Sequence, residues 1–365
     1  MKIVLLYLGR KGAGPEYALE MAKALSRKAE VMCIISTYVS NKHNWLSWAE
    51  NSTSIKIKEI KTYNSTTEFI LKSFNIFIYL DAIRAINRFT PNMIYSPMSH
   101  PWERFIIPYC KCKLTVQTIH DAVLHEGENS FRNKLGRFML SYKSTKNIIL
   151  SNSFKNYLIN KGIKESDILV IPHAVFKGYY FSENIIEDYT FYNRFLFFGR
   201  IIKYKGLEVL LEAMKEIAQR VSGVKLVLAG NGDITPYQTM VQECADNLDL
   251  HIGWIEDNQV ESFFKEIDFV VLPYTHASQS GVIPLAYAFG KPVVATCIGG
   301  IPEQVEEGKT GILIQPGNIE ELENAICGLL TDSIRLERLK KNCYEYAAMN
   351  TWDSSAKVLI DCIDL

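Results

Sequence analysis

Short apolar runs rich in β-formers alternate with helix-length segments along this chain, and the alternation begins twice. In the first half the runs cover residues 3–8, 30–36, 93–95, 114–119, 148–150 and 168–171. In the second they cover 195–198, 225–229, 250–253, 269–272 and 292–295. Helical segments are expected at 15–28, 154–161, 207–220, 237–247, 258–265, 283–289, 319–330 and from 334 to the end. Pro15 suits a first helical turn, and Ser151-Asn152-Ser153 suits a cap for the helix at 154–161. Strands alternating with helices predict parallel sheets covered on both faces. The fold class expected is α/β, with two Rossmann-like doubly wound domains facing each other across a cleft. A length of 365 residues fits two domains better than one core. In such sheets ligands bind beyond the carboxyl ends of the strands. The aromatic, acidic stretch 175–193 has no clear period and is read as the linker.

Forty basic and forty acidic side chains balance, which argues against a general nucleic-acid binder. The eight cysteines form no Cys-x-x-Cys pair, so a zinc site is not indicated, and buried reduced thiols of a cytosolic protein are expected. The apolar start stops at Gly9-Arg10-Lys11-Gly12, too early for a signal peptide. The longest apolar region, 69–86, is interrupted by Lys72, Asn75, Asp81 and Arg84 and is expected to form a buried helix rather than a membrane span.

The sharpest loop is Gly199-Arg200-Ile201-Ile202-Lys203-Tyr204-Lys205-Gly206, set between a strand and a helix. A helix N-terminus favours an anion. Arg200 offers a planar fork and Lys205 a point charge, so the loop suits a diphosphate; a solvated basic turn fits the same residues. Gly230-Asn231-Gly232-Asp233 follows the next strand. In 273–284, Ser280, Gly281 and Val282 stand where a helix begins, and the N–H groups there with the Ser280 hydroxyl suit a second face of the diphosphate. A capping turn is the simpler alternative. Glu303, after Gly299-Gly300, could meet a ribose or sugar hydroxyl.

In the first half His120-Asp121 ends a buried strand, where a histidine could contact a proton or a sugar hydroxyl or be a core residue bonded to a carbonyl. His125 and Glu126 follow in a polar loop that suits an acceptor. The loop 9–14 resembles a dinucleotide fingerprint only loosely, because Ser36-Thr37 stands where an acidic ribose ligand is expected. No Asp-x-Asp occurs, which points to a metal-independent site with Arg and Lys neutralising charge.

Gly199-Arg200, Lys205-Gly206, Gly230-Asn231-Gly232-Asp233, and the run from Gly290-Lys291-Pro292 through Gly299-Gly300-Ile301-Pro302-Glu303 to Gly311 resemble glycosyltransferase family 4. In the first half Gly12, Gly14 and His120-Asp121 carry the resemblance more loosely. Trp352 resembles the tryptophan before that family's last helix. The resemblance implies a retaining, metal-independent enzyme of the GT-B fold without a cofactor. Residues 1–178, with a crossover helix at about 350–365, would bind the acceptor, and 190–348 the nucleoside-diphosphate sugar. Arg200 and Lys205 would hold the diphosphate, and His120 would meet the transferred sugar. Gly12, Gly14, Gly199, Gly230, Gly232, Ser280, Gly281 and Val282 would line the donor, and Asp121, His125 and Glu126 the acceptor. The acceptor implied is a glycan or lipid-linked oligosaccharide in cell-surface polysaccharide synthesis, at the cytoplasmic face of the membrane. A stretch with Arg132, Lys134, Arg137, Lys143 and Lys146 among apolar residues fits peripheral contact with an anionic membrane; an ordinary surface helix fits it equally. The family's two glutamates, eight positions apart, are Ala277 and Leu285 here. That departure keeps two alternatives open: a catalytically impaired binding or assembly subunit, and a sugar-nucleotide epimerase of the same fold.

Overall fold

A computed structural model of the chain describes residues 1–12, 14–52, 55–120, 144–175 and 190–361. Among these residues the strands form two sheets. The first holds β1 (Lys2–Tyr7), β2 (Glu30–Ser36), β3 (Ile55–Ile60), β4 (Met93–Ser96), β5 (Leu114–Ile119), β6 (Lys146–Ile149) and β7 (Ile168–Val170). The second holds β8 (Arg194–Phe198), β9 (Lys225–Gly230), β10 (Leu248–Ile252), β11 (Phe269–Leu272), β12 (Val293–Thr296) and β13 (Gly311–Ile314). The strand orders are 3-2-1-4-5-6-7 and 10-9-8-11-12-13. Every pairing is parallel. Each order reverses at one point, between β1 and β4 and between β8 and β11, and the crevice there is where doubly wound sheets bind ligands.

The alternation of side chains along each central strand supplies two cores. Ile3, Leu5 and Tyr7 face the helix Gly14–Ser26, while Val4, Leu6 and Leu8 face Tyr79, Ile86 and Trp102. In the second sheet Phe195 and Phe197 pack under the helix Leu207–Arg220, and Leu196 packs with Phe264 and Tyr287. The last helix, Trp352–Asp361, returns to the first domain. Its Trp352, Ala356 and Leu359 belong to the core around β1, and Asp353 pairs with Arg27 at 2.7 Å.

Several expectations shift. β3 (IKIKEI) is a half-exposed edge strand whose lysines hide it from a search for apolar runs, and β13 is only four residues long. The expected buried helix at 69–86 is two helices, Thr66–Ser73 and Ile76–Phe89, joined by a turn whose apolar side chains are exposed. Asn75 breaks it, because its side chain caps the second helix by accepting from the Phe77 N–H at 3.1 Å. Lys146 opens β6 instead of ending a basic helix, and its ammonium bonds the Ser166 carbonyl at 2.8 Å. Arg132, Lys134, Arg137 and Lys143 lie outside the described residues, as does most of the expected linker. Of the cysteines, Cys33, Cys244, Cys327 and Cys343 are buried and free, whereas Cys297 is exposed.

Candidate functional site

The expected phosphate loop follows β8. It descends through a 3₁₀ turn, Lys203–Lys205, to Gly206, which is also the N-cap of the helix Leu207–Arg220. Gly206 has φ +71°, and a Cβ there would lie 1.8 Å from the Pro273 carbonyl oxygen. Only glycine allows the turn to lie against the strand end of β11 this closely. Gly230, at φ +156°, does the same between β9 and the Gly199 carbonyl. The Ile201 N–H donates to the Asn231 carbonyl at 2.8 Å, and an isolated bridge joins Ile201 to Gly232. Gly199, Gly230 and Gly232 therefore weld two loops into one ledge.

Tyr204 brings the two cations to one place. The Arg200 guanidinium donates to the Tyr204 hydroxyl at 3.3 Å. The Lys205 ammonium lies 5.4 Å from the Tyr204 ring centre and 3.6 Å from that of Tyr274. Such contacts hold an ammonium over an aromatic face. No side chain caps the helix that starts at Leu207, so the ledge combines two cations with the positive end of a 14-residue helix.

The loop after β11 differs from expectation. The Ser280 N–H donates to Gln304 Oε1 at 2.8 Å, and Gln304 Nε2 donates to the Ser280 carbonyl at 3.0 Å. The Ser280 hydroxyl accepts from the Val282 N–H at 3.3 Å and meets the Tyr274 hydroxyl. These bonds engage the Ser280 and Val282 N–H groups within the domain itself. The atoms left over belong to their neighbours. Ser278 Oγ and Gln279 Oε1 are buried without a hydrogen-bond partner among the described residues. Ala277 and Leu285 pack against the apolar core of this domain, so no carboxylate stands where the family's glutamates would.

Across the cleft His120 follows β5. Its Nε2 lies 2.8 Å from the Pro97 carbonyl; a carbonyl only accepts, so Nε2 is the donor of this bond. Tyr17 packs edge-on against His120, His173 and Trp352, with ring centres 4.6, 5.3 and 4.9 Å away. One ring thus joins the histidine, the end of the first domain and the returning helix. Burial pulls the His173 pKa down to about 4, opposed by its bond to the Ala174 carbonyl and aided by His120. Gly12 and Gly14 come at the end of the loop after β1; Gly14 lies over Tyr7, whereas a Cβ on Gly12 would meet nothing within 4 Å. A Cβ on Gly14 would come within 2.6 Å of the Tyr7 hydroxyl. That hydroxyl is buried and has no partner among the described residues. Asp121, His125 and Glu126 lie outside the described residues.

Glu303 does not face the ledge. Its carboxylate crosses to the first domain and accepts from the Asn152 N–H at 2.5 Å, the Ser153 N–H at 2.7 Å and the Ser153 hydroxyl. It thereby caps the turn that opens the helix Lys155–Asn160. Burial raises its carboxyl pKa, but the bonds from Ser153, Asn152 and Ser151 prevail and hold it below the usual range. Sequence reasoning anticipated the Ser-Asn-Ser cap but not its partner 150 residues away.

Residues 192–332 match the family model of glycosyl transferases group 1. An uncharacterized glycosyltransferase of Methanocaldococcus jannaschii is 30% identical over 173 residues, covering 46% of this chain and 43% of that protein. A D-inositol 3-phosphate glycosyltransferase of Corynebacterium urealyticum is 28% identical, covering 45% of this chain and 41% of its own length. The chain thus spans less than half of either curated relative. The crystal structure of Anabaena HepE in complex with UDP-glucose superposes with a TM-score of 0.73 at 17% identity, covering both chains completely. The architecture is GT-B: two doubly wound parallel sheets and a last helix that returns to the first domain.

Proposed function

We propose that this chain, whose residues 192–332 match the family model of glycosyl transferases group 1, moves a sugar from a nucleoside-diphosphate donor to a glycan or lipid-linked acceptor. The observation that carries the reading is the ledge where Arg200 and Lys205 share Tyr204 at an uncapped helix N-terminus. Negative charge grows on the diphosphate as the glycosidic bond to it breaks. Pre-placed cations stabilise that charge without reorganising, which is where electrostatic catalysis acts most strongly. We read the reaction as independent of metal and of any cofactor, because Arg200 and Lys205 supply the positive charge. We also read it as retaining. Donor and acceptor then share one face of the sugar, the departing phosphate takes the acceptor proton, and no protein nucleophile is needed. His120 would meet the transferred sugar from the first domain. Ser278 and Gln279 would bond the sugar or ribose hydroxyls in place of the family's glutamates. HepE's complex with UDP-glucose supports a uridine donor as the first to try. Cell-surface polysaccharide synthesis at the inner membrane face is the setting we propose. We read the attachment as peripheral; no helix among the described residues is long and apolar enough to cross a membrane.

The test is thermal stability against UDP, GDP, ADP and a CMP control, on wild type and Lys205→Ala. A ligand at a hundred times its dissociation constant adds about 2.7 kcal/mol. One diphosphate should stabilise wild type and leave the variant unmoved. Indifference of wild type to every diphosphate would refute the donor site. It would favour the impaired binding subunit, a reading supported by the apolar packing of Ala277 and Leu285.

A further inference from the structure

The turn between the helices Thr66–Ser73 and Ile76–Phe89 exposes five large apolar side chains within eight residues. Ile70, Leu71, Phe74, Ile76 and Phe77 are 55%, 67%, 82%, 59% and 74% exposed. Contiguous exposed apolar surface of this kind marks an interaction site. The turn is not a frayed end. Ser65 and Asn75 cap its two helices through bonds of 3.1 Å to the Glu68 and Phe77 N–H groups. On the inner side Phe69 stacks flat on Trp102, which donates through Nε1 to Ser73 Oγ at 2.8 Å. The Tyr79 hydroxyl donates to the Ser73 carbonyl at 2.7 Å. The backbone is held from beneath while the apolar side chains project outward. Phe105, beside Tyr79, and Tyr109 are exposed in the neighbouring segment.

Charge selects the partner. The whole chain balances, but residues 58–113 hold eight lysines and arginines against four acids. Those acids are already engaged. Asp81 pairs with Lys58 at 2.8 Å, Glu68 with Lys72 at 3.5 Å and Glu59 with Lys42 at 2.5 Å, while Glu103 is buried. Lys61, Arg84, Arg88 and Arg104 are exposed. Phe77, Arg84 and Arg88 stand seven and four positions apart, on one stripe of their helix. A projecting aromatic knob above a cationic stripe fits the interface of an anionic bilayer. There apolar side chains enter the headgroup–acyl boundary and cations meet lipid phosphates. The helix Thr66–Ser73 follows β3, so the knob belongs to the carboxyl side of the first sheet, the side of the cleft.

We propose that the turn at residues 70–77 docks the protein on an anionic phospholipid bilayer, with Phe74 and Phe77 inserted and Lys61, Arg84 and Arg88 on the headgroups. This sharpens the membrane part of the function proposed above and stands independently of the donor site. The test is co-sedimentation with vesicles of equal phosphatidylglycerol and phosphatidylcholine, and with phosphatidylcholine alone. Wild type should bind the mixed vesicles more tightly than the neutral ones, with a preference that fades in high salt. Phe74→Ser/Phe77→Ser should lower partitioning by about tenfold or more. Arg84→Glu/Arg88→Glu should lower binding to the mixed vesicles about tenfold and leave neutral vesicles unaffected. Melting curves with and without UDP check the fold and the donor site separately, and Leu71→Lys serves if the double phenylalanine variant does not fold. Wild type that ignores both vesicles, or a Phe74→Ser/Phe77→Ser variant that binds like wild type, would overturn the proposal. So would a wild-type dimer that needs Phe74 and Phe77 and has no affinity for lipid.

Discussion

The two walls of the cleft are built by different means. The second-domain wall is backbone against backbone: Gly206 on Pro273, Gly230 on Gly199, and Gly299 on Ala277. Cations stand on the resulting ledge. The first-domain wall is side chain against side chain. Tyr17 holds His120, His173 and Trp352, while the Tyr63 hydroxyl bonds His100 Nε2 at 3.0 Å. Several titratable groups are buried in the first domain. Burial, aided by the Arg10 charge, takes His100 down to about 3, and burial lifts Glu103 to about 8 against its bonds from Ser96 and His100. A backbone ledge depends little on pH and strongly on glycine. A wall of buried side chains has the opposite sensitivities.

The largest expected effect breaks the ledge. Gly206→Ala places a Cβ 1.8 Å from the Pro273 carbonyl at φ +71°. Left-handed strain and forced backbone movement together should cost about 3 kcal/mol or more, read as a lower melting temperature with diphosphate stabilisation lost. Lys205→Ala should leave the melting temperature near wild type while turnover falls about a hundredfold, the scale of one transition-state contact. Turnover within about threefold would remove Lys205 from the reaction.

The pH response probes the other wall. His173 has a folded pKa of about 4, below the unfolded value near 6.5. Its contribution is therefore present above pH 6.5 and is lost as pH falls through 4, and His100 acts in the same direction. Glu103 is raised, so its contribution has the opposite sign: present below about 4.5 and lost as pH rises through 8. Melting measured from pH 8 to pH 4 should rise first and then fall. His173→Gln should flatten the acid limb by about 3 kcal/mol, and Glu103→Gln the alkaline one. Identical curves for wild type and both variants would contradict the assignment. The smallest effect joins the walls. Glu303→Gln should weaken the cap on Asn152 and Ser153 by about 1 kcal/mol, and small-angle scattering should show a more open average shape. An unchanged scattering curve would reduce Glu303 to a local cap.

Much of this was legible because it is local. Apolar runs and the residues between them reveal most strands, and a glycine in a strand-to-helix loop already announces a close approach. Arg200 and Lys205 could be singled out because both stand in one such loop. The edge strand β3 was hidden because Lys56, Lys58 and Glu59 dilute its apolar face. The partner of the Ser280 N–H was hidden because Gln304 comes from another loop. Ser278 and Gln279 carry no pattern of their own; their significance is that burial leaves their oxygens unpartnered.

Local sequence determined the two series of strands and helices, the glycine turns and the cations beside them, since each depends on dihedral preference or on residues a few positions apart. Tertiary structure alone decided that Glu303 leaves its own domain to cap another. It also decided that Tyr17 joins three distant segments and that the apolar stretch after residue 69 divides and turns Phe74 outward. Each of these is set by a partner far away in the chain, and no periodicity encodes which surfaces meet once two sheets have closed on each other.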